Sequence, residues 1–269
     1  MAKVITLFTL SISLIALLVL HLALQNVQTT KNIFKLNLHN TETIKIAVLA
    51  DLHIDSLEDL SRLKETTSRI NEAKPDLIAL LGDYSSTGYA SEFRTPTLEV
   101  LSNLEGSPKV AVLGNHDNSI GRNAWISGFN STEILLLENQ SALLFTGAGP
   151  ICVRGFGDLY SKKLRRTEWI SECEKIPKLN ITHDPAGAFR INEPGFYLSG
   201  HTHCGQIRLP LLGALFVPSE VPRGARCGHY ESSKFHLWVS SGIGTSVIDF
   251  RLGTRSEWDL LELSFDAMK

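Results

Sequence analysis

Five short apolar runs in this chain each stop at a cluster of Asp, Asn or His. That pattern constrains the fold more than any other feature. Ile44 to Ala50 stops at Asp51-Leu52-His53, and Leu77 to Leu81 stops at Gly82-Asp83. Val110 to Leu113 stops at Gly114-Asn115-His116-Asp117. Leu179 to Thr182 runs into His183, and Phe196 to Ser199 runs into Gly200-His201-Thr202-His203. Ile44 to Ala50 is β-rich, while the wholly apolar Leu77–Leu81 and Val110–Leu113 read as buried strands. Between the first two, Leu57 to Ala73 carries Leu57, Leu60, Leu63 and Ile70 at helical spacing and stops before Pro75. Glu92 to Leu104 is a second helix candidate. Alternating strands and helices predict a layered α/β fold with a mainly parallel central sheet.

In such sheets ligands bind beyond the carboxyl ends of the strands. The residues at those ends should therefore converge, although they are far apart in sequence. They are Asp51, His53, Asp83, Asn115, His116, His183, His201 and His203. Imidazole, carboxylate and one carboxamide together suit Zn²⁺, Mn²⁺ or Fe²⁺. In Asp51-x-His53 and His201-x-His203 a locally extended backbone puts both side chains on one face. So many donors exceed one tetrahedral zinc and fit two metals sharing a bridging carboxylate. Any one of these residues alone would read as a turn residue or a satisfied core histidine. Jointly they hold five of the nine histidines. Of the others, His21 and His39 read as interfacial and linker residues, and His229 and His236 as surface residues or substrate contacts.

Composition removes several classes. Lys and Arg number 26 against 28 Asp and Glu, for a net charge of −2, so a general nucleic-acid binder is not expected. With 43% hydrophobic and 20% charged residues the chain is not disordered. Cys152, Cys173, Cys204 and Cys227 form no C-x-x-C, which gives no zinc-finger or redox motif. Four cysteines are also too few for a disulfide scaffold, and they leave the compartment open. Neither G-x-S-x-G nor a P-loop is present.

Val4 to Leu24 holds no charged residue and would span roughly 30 Å as a helix, the thickness of a bilayer core. It reads as an uncleaved transmembrane anchor. A signal peptide is the rival, but the exit His21-Leu22-Ala23-Leu24 lacks a small-residue cleavage pattern. Flanking lysines give no orientation, so a single-pass inner-membrane protein is expected with its side undetermined. Residues 25–43 read as a linker, and one domain is expected over residues 44–265.

The series DLH (51–53), GDY (82–84), GNHD (114–117), ITHD (181–184) and GHTHCGQI (200–207), in this order, resembles the calcineurin-like metallophosphoesterases. The anchor and GHTHCGQIRLP resemble that family's membrane-associated bacterial phosphodiesterase branch, some of whose members hydrolyse UDP-2,3-diacylglucosamine in lipid A synthesis. The resemblance implies a sandwich of mixed sheets flanked by helices, with a binuclear centre. Asp51, His53, Asp83 and His203 would hold one metal, and Asp83, Asn115, His183 and His201 the other. Asp83 would bridge them, and His116 would face the leaving group without binding metal. Asp117 is the nearest candidate to orient His116.

Two positions depart from the family pattern. Cys204 stands where a glycine is usual, so its thiol could meet the site or point into the sheet. Tyr84-Ser85-Ser86 follows Gly82-Asp83, where the protein-phosphatase branch carries a second Asp and an Arg. That speaks against a Ser/Thr protein phosphatase. The chemistry implied is in-line attack of a metal-bridging hydroxide on a phosphodiester or pyrophosphate, with His116 assisting departure. A lipid-linked substrate would suit an anchored enzyme.

Lys162-Lys163-Leu164-Arg165-Arg166 reads as a solvated helix face or as a contact for anionic head groups. Arg223 and Arg226, in a Pro/Gly-rich loop, are candidates to meet phosphate oxygens. The alternative to an enzyme is a non-catalytic interaction module keeping this fold. Such a module should have lost ligands, yet every ligand position and His116 are present.

Overall fold

The computed structural model describes residues 30–37, 43–86, 91–105, 108–209 and 211–264, together with residue 13. The expected anchor, Val4 to Leu24, lies outside the described residues apart from Ser13. No helix among the described residues is long and apolar enough to cross a membrane.

Two six-stranded sheets face each other. The first has the order β1 (Thr30–Asn37), β14 (Glu257–Ser264), β2 (Thr43–Leu49), β3 (Leu77–Leu80), β4 (Lys109–Ala111), β5 (Ile134–Leu136). The second runs β12 (Gly228–Glu231), β13 (Phe235–Val239), β9 (Gly195–Ser199), β8 (Lys178–Ile181), β7 (Gly149–Gly155), β6 (Gln140–Thr146). Both are mixed. The strands β2 to β5 are parallel while β14 runs antiparallel to β2, and β7, β8, β9 and β13 are parallel with β6 and β12 antiparallel at the edges. This is the expected layered sandwich of mixed sheets.

Strand alternation accounts for the layers, because successive side chains point to opposite faces. On β2, Ile46 and Val48 enter the core between the sheets with Val153, Ile181 and Leu198 from the second sheet. Ala47 and Leu49 face the other way, into a core with Leu60, Leu63, Ile70, Trp125 and Phe129. Those residues come from α1 (Leu57–Ala73) and α4 (Arg122–Asn130), with α2 (Ser91–Ser102) beside them and the short α3 (Asn115–Ser119) just before α4. On the outer face of the second sheet, Tyr197, Leu237 and Val239 meet Ala188 and Ile191 of α5 (Ala186–Ile191).

Helix α1 begins and ends where the sequence predicts. Ser56 accepts from the Asp59 amide at 3.1 Å, Glu58 and Asp59 sit in the positive first turn, and Lys74 closes the helix in a left-handed conformation before Pro75. Residues 30–37 correct the linker reading. They form β1, which pairs in parallel register with β14 from Thr30 opposite Glu257 to Asn37 opposite Ser264. A strand at the sheet edge needs one partner only, so the segment carries no strong apolar period to betray it. The basic run at 162–166 is likewise not helical. It leaves a turn at Lys162 and continues as irregular chain fixed by Asn139, which donates to the Lys163 carbonyl and accepts from the Arg165 amide.

Candidate metal centre

All five motif segments end at one place, between the carboxyl ends of β2, β3, β4, β8 and β9. There the chain turns sharply. Asp51, His53, Asp83, His201 and His203 all adopt positive φ, between 45° and 68°. Non-glycine residues seldom do so, and such strain concentrates where a fold must aim side chains at a site. Asp51 and His53 donate their amides to the Gly82 and Asp83 carbonyls, which locks the first two motif loops together. Gly114 shows why its motif opens with glycine, since a Cβ there would overlap Asp83 Oδ1. Gly200 is constrained likewise by the Asp51 carboxylate.

The donor atoms converge in two overlapping sets. Asp51, His53 and His203 offer ligand atoms within 4.8 Å of one another, as do Asp83, His183 and His201. Asp83 also lies in such a group with His53 and His116, so it stands between the two sets. His183 Nε2 is 3.2 Å from both Asp83 Oδ2 and Asn115 Oδ1, and His203 Nε2 is 3.6 Å from Asp51 Oδ1. Every expected ligand is therefore at the centre.

The electrostatics fit cations. His53 and His203 place their Nε2 atoms 3.1 Å apart, and His53 Nδ1 is buried with no hydrogen-bond partner among the described residues. Burial holds His53 down to about 3 and His203 well below the ordinary imidazole range, so both offer neutral nitrogen lone pairs. Burial also pushes Asp51 up to about 7, with the Asp83 charge adding to it. At Asp83 burial works upward too, but the charge and hydrogen bond of His183 overcome it and hold the carboxyl below its usual range. Burial opposes the charge on His183, and Asp83 nevertheless raises it well above an ordinary imidazole. A dense set of buried nitrogen and carboxylate donors, with a proton as the stand-in cation, is the donor chemistry of a divalent metal site.

His116 faces the same space, its ring edge-on to His53 with centroids 5.1 Å apart. Its Nδ1 lies 3.1 Å from the Ser86 carbonyl. Ser86 is in turn pinned by Asp55, which accepts its amide at 3.1 Å and its hydroxyl. The orienter of His116 is thus a backbone carbonyl, and the expectation for Asp117 is corrected. The Asp117 carboxylate is fully buried and accepts the amides of Asp83, Tyr84 and Gly114 at 2.8–2.9 Å, which knits the two motif loops together. Burial, and then the Asp83 charge, push it up to about 7.

Arg223 and Arg226 do not line the cavity above the cluster. Arg226 donates its Nε to the Val221 carbonyl at 3.4 Å, and its own carbonyl accepts the Thr202 hydroxyl. That turn is tied to the loop carrying His203 by a disulfide, Cys204–Cys227. Cys204 neither coordinates nor points into the sheet, and Cys152–Cys173 forms the second bridge. His229 and His236 pair at 3.2 Å on β12 and β13, away from the cavity.

Sequence reading missed Arg251. Its buried guanidinium donates to the Gly244 and Ser241 carbonyls at 2.6 and 2.8 Å and stands 3.3 Å from His203 Nδ1. Burial brings it down to about 10. No local motif marks it, because its partners are carbonyls of a loop that only folding brings round.

The sequence profile described as calcineurin-like phosphoesterase matches residues 44–205, which carry the first four motifs whole and the fifth as far as Gly205. The chain belongs to this family. It is a metal-dependent phosphoesterase. A phosphodiesterase of Escherichia coli, YaeI, is 34% identical over 237 residues, spanning 83% of both chains. The metallophosphoesterase YkuE of Bacillus subtilis is 26% identical over 246 residues, spanning 86% of this chain and 83% of its own. The fold also matches the solved NAD nucleotidase of Haemophilus influenzae, with a TM-score of 0.52 at 12% identity over 83% of this chain and 51% of that one. Calcineurin-like phosphoesterases use a binuclear divalent centre, and the two donor sets around Asp83 provide for one here.

Proposed function

We propose that the protein hydrolyses a phosphodiester or pyrophosphate, at a site where Asp51, His53, Asp83 and His203 hold one divalent ion and Asp83, Asn115, His183 and His201 the other. The observation that carries this reading is the convergence of both donor sets on Asp83, with the His116 ring beside them. Bound divalent ions, manganese, zinc or iron, would polarise the phosphoryl oxygens and activate water. The chain's own contribution is placement. Asp83 sets the spacing of the two sets, while Asp117 fixes the loops that carry Asp83 and His116. With Nδ1 held by Ser86, His116 presents its other nitrogen to the departing oxygen and donates the proton that oxygen needs.

Position 84 supports a diesterase over a protein phosphatase. Tyr84 is buried, its hydroxyl donating to the Val112 carbonyl at 2.9 Å, and no Asp-Arg pair follows Asp83. A single-pass anchor at Val4 to Leu24 would keep the site beside a membrane, where a lipid-linked substrate such as a UDP-diacylglucosamine is one candidate. The two disulfides favour an oxidising compartment for the domain. Metal analysis of the purified protein, with turnover of bis-p-nitrophenyl phosphate against a phosphoserine peptide, tests the reading. Bound metal and diester turnover are expected. Comparable turnover of the peptide would overturn the substrate class.

A further inference from the structure

The cavity over the metal ligands, about 420 Å³, has two unlike ends. Its inner end holds the buried Asp83, His201 and His203, whereas its mouth is walled by Leu215, Phe216, Val247 and Ile248, all exposed. Leu211 and Leu212 extend the apolar surface outward on the turn between β10 (Arg208–Leu209) and β11 (Gly213–Ala214). An open apolar surface continuous with a polar site marks a place for an apolar part of a ligand or partner.

The fold is built to present these side chains outward. Gln206, three residues past the ligand His203, donates its amide to the carbonyls of Ser246, Ile248 and Phe250 at 3.1, 2.7 and 3.2 Å and accepts the Ser246 amide at 2.8 Å. Arg251 holds the base of the same loop. Backbone polarity is thus satisfied inward, while the side chain of Val247 stands fully in solvent. Val247 and Leu211 do this at φ of 67° and 66°, a conformation strained for a β-branched or bulky residue. Charge decides between occupants. No Lys or Arg is among the described residues lining the cavity, so a second phosphate or a nucleotide diphosphate would find no cation at the mouth.

We infer that the mouth is a subsite for an apolar alkyl or acyl tail carried by the substrate, lying along Leu215, Phe216, Val247 and Ile248 while its phosphodiester meets the metal ligands. This rests on the hydrolase reading above and narrows it to lipid-type monophosphodiesters, which sets aside the pyrophosphates, UDP-diacylglucosamine among them.

The test uses the metal-loaded full chain, kept in solution by an amphipathic polymer, and 4-nitrophenyl alkyl phosphates from methyl to octyl, below their micelle concentrations. The kcat/KM is expected to rise roughly tenfold or more from methyl to octyl, carried by KM. Val247→Asn with Leu215→Gln keeps the left-handed turn and changes exposed positions only. It should cut that gain to under about twofold at unchanged metal content. A flat chain-length profile, or a gain that survives the double variant, overturns the subsite. So does vesicle binding with a flat profile, which makes the surface a membrane contact. A wild-type dimer that the variant dissolves, again with a flat profile, makes it a self-interface and is equally fatal. Calorimetric titration with dimethyl and methyl octyl phosphate reads the tail without turnover. Tighter octyl binding with no hydrolysis would keep the subsite and remove the hydrolase reading, and equal binding of both would remove the subsite.

Discussion

At the scale of single residues, the proposed function separates groups that would hold metal from groups that would act beside it. Asp83 lies between both donor sets, so Asp83→Asn should lower the content of both ions and abolish turnover, as metal quantitation and kinetics will read. His116 is within reach of His53 and Asp83, but its ring is held by Ser86. If its task is the leaving group, His116→Ala keeps both metals and loses ~10²–10⁴-fold in kcat on an alkyl ester. A p-nitrophenyl ester, whose leaving anion needs no proton, should lose far less. Metal loss in that variant would make His116 a ligand instead. Asp55 pins Ser86, which orients His116. Asp55→Ala should therefore lower kcat on alkyl esters by roughly tenfold with metal content intact, a positioning effect.

At the scale of elements, the edges of the sandwich are where stability can be tested apart from chemistry. Strand β1 covers the outer edge of β14, which β2 pairs on its other side. A chain beginning near residue 27 should fold and bind metal like the full protein, whereas one beginning at residue 40 strips β1 and exposes a strand edge. We expect the shorter chain to melt lower by roughly 5 °C or more, measured calorimetrically, with both donor sets still able to load metal. Equal melting temperatures would mean that β1 contributes nothing. The Cys152–Cys173 bridge closes a separation of 21 residues between β7 and the segment before β8. Replacing both by Ser should destabilise by about 3 kcal/mol in denaturant unfolding, mainly through the unfolded chain.

Across the whole molecule, buried acids make stability depend on pH. Glu257, on β14 near the centre, is pushed up to about 7, chiefly by burial and then by Asp259. Its folded value exceeds its ordinary 4.5, so the native state binds the extra proton between those values. The stabilisation is complete below about pH 4.5 and is lost as pH rises through about 7. Glu257→Gln should therefore match the wild type near pH 4.5 and exceed it at pH 8 by on the order of 1–3 kcal/mol. Unfolding of both proteins in chelator checks this, and a difference that does not vary with pH would refute it.

The strands that carry the motifs, helix α1 and the cluster of candidate donors were legible in the sequence, because a buried strand needs a mainly apolar run and a metal needs particular donors. Asp51, Asp83 and His183 announce themselves by type and by position after such runs. Other features follow only from tertiary structure, since their partners are backbone groups or residues far away in the chain. β1 is a strand because β14 lies beside it, not because of its own pattern. Asp117 was readable as important but not as a brace for three amides, and Ser86 orients His116 through a carbonyl that every residue possesses. Four cysteines without a spacing motif became two bridges once folding brought them together. Arg223 and Arg226 show the converse, for charge and proximity in sequence suggested phosphate contact while neither side chain lines the cavity. Residue chemistry sets what the centre can bind, and long-range packing sets which groups surround it and what its mouth admits.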